Sequence, residues 1–273
     1  MDAPFPEKEE MKFKFLICAL TIAVSLGAMP SRADLASTIA QVKPAIALVG
    51  TYKATNSPRF SMRGTGFVVA PDQQTQGNLL VTNAHVLPPS AKADPDASLV
   101  VQLRLGQGEL QMRPVTVLEV DALHDLALLK FDGPAHAAFK VGDSEAVQEG
   151  KSVAFMGFPI GGTLGFSPVT HRGTVASIAA IALPTQNARQ LSPQAIRSLR
   201  GSNSFDIFQL DGTAYPGNSG GPMFDPETGE VLGVVNMVLI KGTRESALTH
   251  PSGISYAIPS RFVRELLQRY AGQ

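Results

Sequence analysis

A chain of 273 residues, 44% hydrophobic and 17% charged, can bury a sizeable core and does not have the composition of a disordered protein. Its 23 basic and 23 acidic residues balance to a formal net charge of +0 at pH 7. With no long Lys/Arg run, the electrostatic footprint of a nucleic-acid-binding protein is missing, and no nucleic-acid partner is expected.

The first 33 residues read as an N-terminal extension and signal peptide. From Met11, Lys12 and Lys14 form a positive region, Phe15 to Ala28 an apolar run, and Ser31-Arg32-Ala33 a small-x-small cleavage signature. The run is too short for a comfortable membrane span, which needs about 20 residues. Cleavage after Ala33 would give an exported protein, periplasmic or secreted, with no stable membrane span. A buried core helix or an uncleaved anchor is the alternative. The preceding "MDAPFPEKEE" is acidic and does not suit a signal, so Met1 and Met11 both stand as possible starts. Cys18, the one cysteine, lies in the apolar run and lacks the small residue before it that a lipoprotein site needs. A chain cleaved at Ala33 would hold neither disulfide nor thiol nucleophile.

Asp34 to Val42 has helical apolar spacing and opens on an aspartate, which predicts a short leading helix. The pattern then changes. "AIALVGTY", "GTGFVVA", "NLLVTNAHV", "SLVVQLRL", "RPVTVLEVD" and "LALLKFD" are followed by "SVAFMGFP", "HRGTVASIAAI", "DIFQLD", "EVLGVVNMVLI" and "GISYAIP". Short runs of Val, Ile, Leu and Phe punctuated by Gly, Pro, Asn and Asp predict an all-β barrel or sandwich. Polar residues 182–203 lack strand pattern, with a possible helical turn at Pro193 to Leu199. Such a loop is either an activity-modulating element or surface decoration. Phe262, Val263, Leu266, Leu267 and Tyr270 then fall on one face of a closing amphipathic helix.

The stretch "YPGNSGGPMFD" packs glycines and prolines around Ser219. Such residues make ordinary turns, and they also shape backbone around a reactive group. A serine nucleophile needs a base. His85 ends the apolar run "LLVTNAHVL", and Asp125 opens "LALLKF", where a sheltered carboxylate could orient an imidazole. Asp121 and His124 lie close enough to rival Asp125. Each residue alone has a bland structural explanation; the order His, Asp, Ser weakens all three.

"TNAHV", "HDLALLK" and "PGNSGGP", with "GTGFVV" before and "GISYAIPS" after, resemble the catalytic blocks of trypsin-like serine proteases, and more narrowly those of the HtrA/Deg type. The resemblance spans residues 34–273. It implies a chymotrypsin-like all-β fold of two antiparallel six-stranded β-barrels, approximately 34–140 and 141–273, with the active site in the cleft between them. It implies Ser219 as nucleophile, His85 as general base and then acid, and Asp125 as orienting carboxylate, since the family's acid directly precedes the Leu-Ala-Leu-Leu strand. The backbone N–H groups of Gly217 and Ser219 would form the oxyanion hole. Thr213, Ala214 and Tyr215, with Val235, Asn236 and Met237, would wall the substrate pocket. No acid stands at Thr213, which favours an apolar or small side chain at the cleaved position.

Typical HtrA proteins continue into PDZ domains. This chain reaches Gln273 one short helix after "AIPS", so a protease domain without PDZ is expected. The implied function is an exported serine endopeptidase acting on unfolded or specific protein substrates. A chaperone-like or peptide-binding module on the same fold is the alternative. No HExxH motif occurs and the histidines lack ligand spacing, so neither a metal nor another cofactor is expected.

Overall fold

The computed structural model describes residues 34–89, 94–159, 165–181, 205–237 and 253–271. The expected signal segment 1–33 and the loop 182–203, with its possible turn at Pro193 to Leu199, lie outside these residues. The leading helix α1 spans Leu35–Val42 and buries Thr38 and Val42. A 3-10 turn at Lys43–Ala45 hands the chain to the first strand.

Among the described residues fourteen strands follow. In the first half they are β1 Ile46–Tyr52, β2 Phe60–Val69, β3 Gln76–Gly77, β4 Leu79–Asn83, β5 Ser98–Arg104, β6 Leu110–Asp121, β7 Leu126–Phe131 and β8 His136–Ala137. In the second half they are β9 Ser152–Gly157, β10 Val169–Ile181, β11 Phe205–Asp211, β12 Pro222–Phe224, β13 Val231–Asn236 and β14 Ile254–Pro259. Two six-stranded sheets close on themselves, in the orders β1-β2-β4-β7-β6-β5 and β10-β11-β14-β13-β12-β9. Every pairing in both barrels is antiparallel. Closure removes the unpaired edges that an open sheet would present to other chains. Strands β3 and β8 form a separate two-stranded ribbon.

The burial pattern explains why these sequences read as near-continuous apolar runs rather than clean alternations. Strand β4 is buried along its whole length and so is β13. One face of each lines its barrel and the other lies against further protein. The large core cluster joins the barrels: Phe67 and Phe139 meet edge to face at 5.7 Å, and Phe139 lies 6.0 Å from Phe224. A second cluster of Phe155, Phe208, Leu210, Met223, Val235 and Ala257 fills the second barrel.

The closing helix α2, Ser260–Ala271, buries Phe262, Val263, Leu266 and Leu267. Ser260 Oγ and Arg264 Nη1 both donate to the Gly142 carbonyl, at 2.8 and 3.1 Å. Farther along the helix, Arg269 Nη2 donates to Asp121 Oδ2 at 2.8 Å, tying α2 to the end of β6. Among the described residues, no helix is long and apolar enough to cross a membrane.

Candidate active site

His85 lies in a 3-10 turn, Ala84–Val86, directly after β4. Apolar β4 is buried through to its last residue, Asn83, and half-buried His85 follows on the turn, so the imidazole stands on a fixed base. Arg63 locks the turn from β2: its Nε donates to the Val86 carbonyl at 2.5 Å and its Nη2 to the Leu87 carbonyl at 2.9 Å.

Asp125 immediately precedes β7, which pairs with β4 in register Asn83 to Leu126. That register sets Asp125 beside His85. The His85 N–H donates to Asp125 Oδ1 at 2.8 Å, and His85 Nδ1 lies 2.5 Å from Oδ2. The Asp125 carbonyl accepts from Ala84 N–H and Asn83 Nδ2, both at 3.0 Å. With Nδ1 committed to the carboxylate, Nε2 is the imidazole nitrogen that remains to accept a proton.

The rival pair is separate. Asp121 and His124 bond each other, Oδ2 to Nδ1 at 2.9 Å, and His124 stacks on Phe262 of α2 at 3.8 Å. Burial pushes the Asp121 carboxyl up, but the His124 and Arg269 bonds outweigh it and hold the group below the usual carboxylate range. Among the described residues, neither Asp121 nor His124 bonds to His85 or Asp125.

Ser219 enters from the second barrel on the turn between β11 and β12. It is buried, as are Asn218 and Gly220. The turn is pinned to β13, since Gly220 N–H donates to Val235 O at 2.9 Å and Val235 N–H to Gly221 O at 2.8 Å. It also presses on the first barrel. Gly220, at φ +83°, has no room for a Cβ, which would strike the Thr65 carbonyl and Thr82 Oγ1. A Cβ on Gly64 would lie 2.6 Å from Val86 Cγ2 and 2.9 Å from the Ser219 carbonyl. The His85 turn and the Ser219 turn therefore flank the same glycine of β2.

The backbone of this turn divides cleanly. Asn218, Gly220 and Gly221 donate their N–H groups to carbonyls. Among the described residues, the N–H groups of Gly217 and Ser219 donate to none, although both residues sit in a sheltered place. Backbone N–H groups that meet no carbonyl within their own turn are donors available to an acceptor.

The expected pocket residues behave differently from one another. Ala214 is buried, its N–H donating to Ser255 Oγ at 2.7 Å, while Ser255 Oγ donates to Gly212 O at 2.6 Å. Thr213 and Tyr215 are half-buried, and Met237 packs against the second core. Val235 has no exposed surface and belongs to that core. Asn236 points its amide at the other barrel: Nδ2 donates to Asp125 Oδ2 at 2.7 Å. Its place after an apolar β13 run gave no signal of that bond.

Sequence reasoning also passed over His171 of β10. Its ring stacks on Phe155 at 4.8 Å and lies 6.1 Å from Tyr215, and its Nε2 is 3.4 Å from Asn218 Nδ2. Burial pushes the His171 imidazole below its ordinary value. Nothing in "VTHRGTV" distinguishes that ring from a surface histidine.

The profile of the trypsin-like peptidase domain matches residues 64–234. The chain is 29% identical over 219 residues to the mitochondrial serine protease HTRA2 of Drosophila virilis, covering 80% of this chain and 42% of that protein. It is 32% identical over 197 residues to a probable periplasmic serine endoprotease, DegP-like, of Pseudomonas fluorescens, covering 72% of this chain and 32% of that protein. The chain thus spans less than half the length of these relatives. A solved HtrA-type protease with a tripeptide shares the fold at a TM-score of 0.57 and 22% identity, covering 86% of this chain and 63% of that one.

Proposed function

Because this chain belongs to the trypsin-like peptidase family and is similar to its HtrA-type members, we propose that it is a serine endopeptidase with His85, Asp125 and Ser219 as its triad. The observation that carries this reading is the two-point bond between His85 and Asp125, with the Ser219 turn flanking the same glycine as the His85 turn. His85 Nε2 takes the Ser219 Oγ proton as Oγ attacks a peptide carbonyl. The carbonyl oxygen becomes anionic and is received by the Gly217 and Ser219 N–H groups. His85 then gives its proton to the leaving amine, and a water hydrolyses the acyl-enzyme by the same route.

Asp125 holds the imidazole in the tautomer with a proton on Nδ1, and Asn236 holds Asp125. Residues 1–33 are read as the export signal and 34–273 as the protease domain, its substrates unfolded or specific proteins outside the cytoplasm. Thr213, Ala214, Tyr215 and Met237 are read as the wall of the pocket for the cleaved residue. They offer no charged side chain, which fits an apolar or small one.

The test incubates the full chain and Ser219→Ala with a reduced, unfolded protein and maps cuts by mass spectrometry. A fluorophosphonate probe is run in parallel. Cuts and labelling seen only with the wild type are expected. Equal cutting by both chains, or a wild type that neither cuts nor takes the label, would sink the reading.

A further inference from the structure

Thr65 lies in β2 of the first barrel and has no exposed surface. A buried hydroxyl needs a partner, and a strand amide ordinarily goes to the neighbouring strand. Thr65 sends both to the second barrel. Its N–H donates to the Ser219 carbonyl at 2.9 Å, and its Oγ1 donates to the Gly217 carbonyl at 2.7 Å. The Phe158 N–H donates to the same Oγ1 at 3.1 Å, which leaves the hydroxyl proton directed at Gly217. The Thr65 carbonyl in turn accepts from Thr82 Oγ1 at 2.7 Å, anchoring the residue in its own sheet.

We infer that Thr65 is a positioning residue for the oxyanion pocket: from the first barrel it grips the two second-barrel residues whose free N–H groups receive the developing charge. The inference rests on the peptidase reading above and deepens it. Gly217 adopts φ +107°, and a glycine can turn its peptide planes at little steric cost. A bond to the Gly217 carbonyl removes that freedom on one side, and a bond to the Ser219 carbonyl fixes the far end of the turn. The pocket is thereby set before substrate arrives, which is the condition for electrostatic stabilisation to count.

Thr65→Val keeps the shape and loses the hydroxyl, Thr65→Ala loses both, and Thr65→Ser keeps the hydroxyl. On a peptide substrate, Val and Ala are expected to lower kcat by about tenfold to a hundredfold with KM within about twofold, while Ser stays within about threefold of wild type. A peptide aldehyde, whose serine adduct is tetrahedral, should lose affinity in step with kcat. Hydrogen exchange at Asn218, Gly220 and Gly221 should quicken in Val and Ala and not in Ser. Wild-type kcat in a folded Val or Ala variant overturns the inference, as does a Ser variant impaired as badly as Val. A rise in KM in place of the fall in kcat does the same. Should Val fail to fold on thermal unfolding, Ala against Ser decides by the same criteria. An inactive wild type overturns the peptidase reading instead. The grip is then judged on exchange alone, and unchanged exchange in Val and Ala overturns it.

Discussion

Asp125 holds φ +53°, a left-handed conformation that few residues with side chains adopt. Aspartate tolerates it better than most, and here the surroundings over-determine it. Two donors hold its carbonyl, and three N–H groups reach its carboxylate. Asp125→Asn would present an amide N–H or the wrong oxygen to His85 Nδ1, favouring the wrong tautomer. Turnover should fall by about 10³–10⁴ with the fold intact, as read by peptide hydrolysis beside circular dichroism. Asn236→Ala removes one bond to a carboxylate and leaves the others, so about a tenfold loss in kcat/KM is expected. A loss equal to that of Asp125→Asn would mean that Asn236 does more than hold the acid. At this scale a contiguous motif offers a signal, since "TNAHV", "HDLALLK" and "PGNSGGP" each carry one residue of the triad proposed above. It was silent where a bond spans the chain. Thr65 and Gly217 lie 152 positions apart, and no local pattern around "RGTGF" marks its threonine. Asn236 illustrates the same blindness, because a strand-end asparagine reads equally well as pocket wall and as partner of a distant acid.

Elements show a similar division. The leading and closing helices and eleven strand runs were readable from apolar spacing. Strand β12 was not. Pro222–Phe224 hides inside the serine block, where glycines and prolines signal a turn, yet it pairs with both β9 and β13 and closes the second barrel. The glycine before it in the turn is constrained from outside its own barrel. Gly220→Ala would force a Cβ onto Thr65 and Thr82 at positive φ, and a destabilisation of about 3 kcal/mol is expected in urea unfolding. The join between β6 and α2 is legible only in three dimensions, because Asp121, His124 and Arg269 meet across the chain. Asp121 is held ionised by the fold, so its contribution is present above the unfolded carboxylate value of about 3.9 and is lost as pH falls below it. Asp121→Asn should therefore cost about 2 kcal/mol at pH 7 and progressively less as acid is added below pH 4. Urea midpoints of both chains across that range give the check; a gap that widens in acid would contradict the assignment.

Across the whole molecule, the aromatic chain Phe67–Phe139–Phe224 joins the barrels through one core. Phe224→Ala opens a cavity at that junction and should cost about 3–5 kcal/mol. It should also lower a single unfolding transition rather than split it, because neither barrel keeps its packing alone. Differential scanning calorimetry distinguishes one peak from two.

The division of labour between the barrels also sets a timetable. His85, Asp125, Thr65 and Arg63 are all laid down in the first half of the chain, whereas Ser219 and the β13 amides that pin its turn come after residue 218. On the triad proposed here, a ribosome that has extruded only the first barrel has made a base with no nucleophile. Synthesis must pass Asn236 before the acid gains its last bond, and β14 must follow before the second barrel can close. On the peptidase reading, the nascent chain is harmless to itself and to its neighbours for most of its translation. Its cutting edge is assembled only when there is a finished fold to resist it.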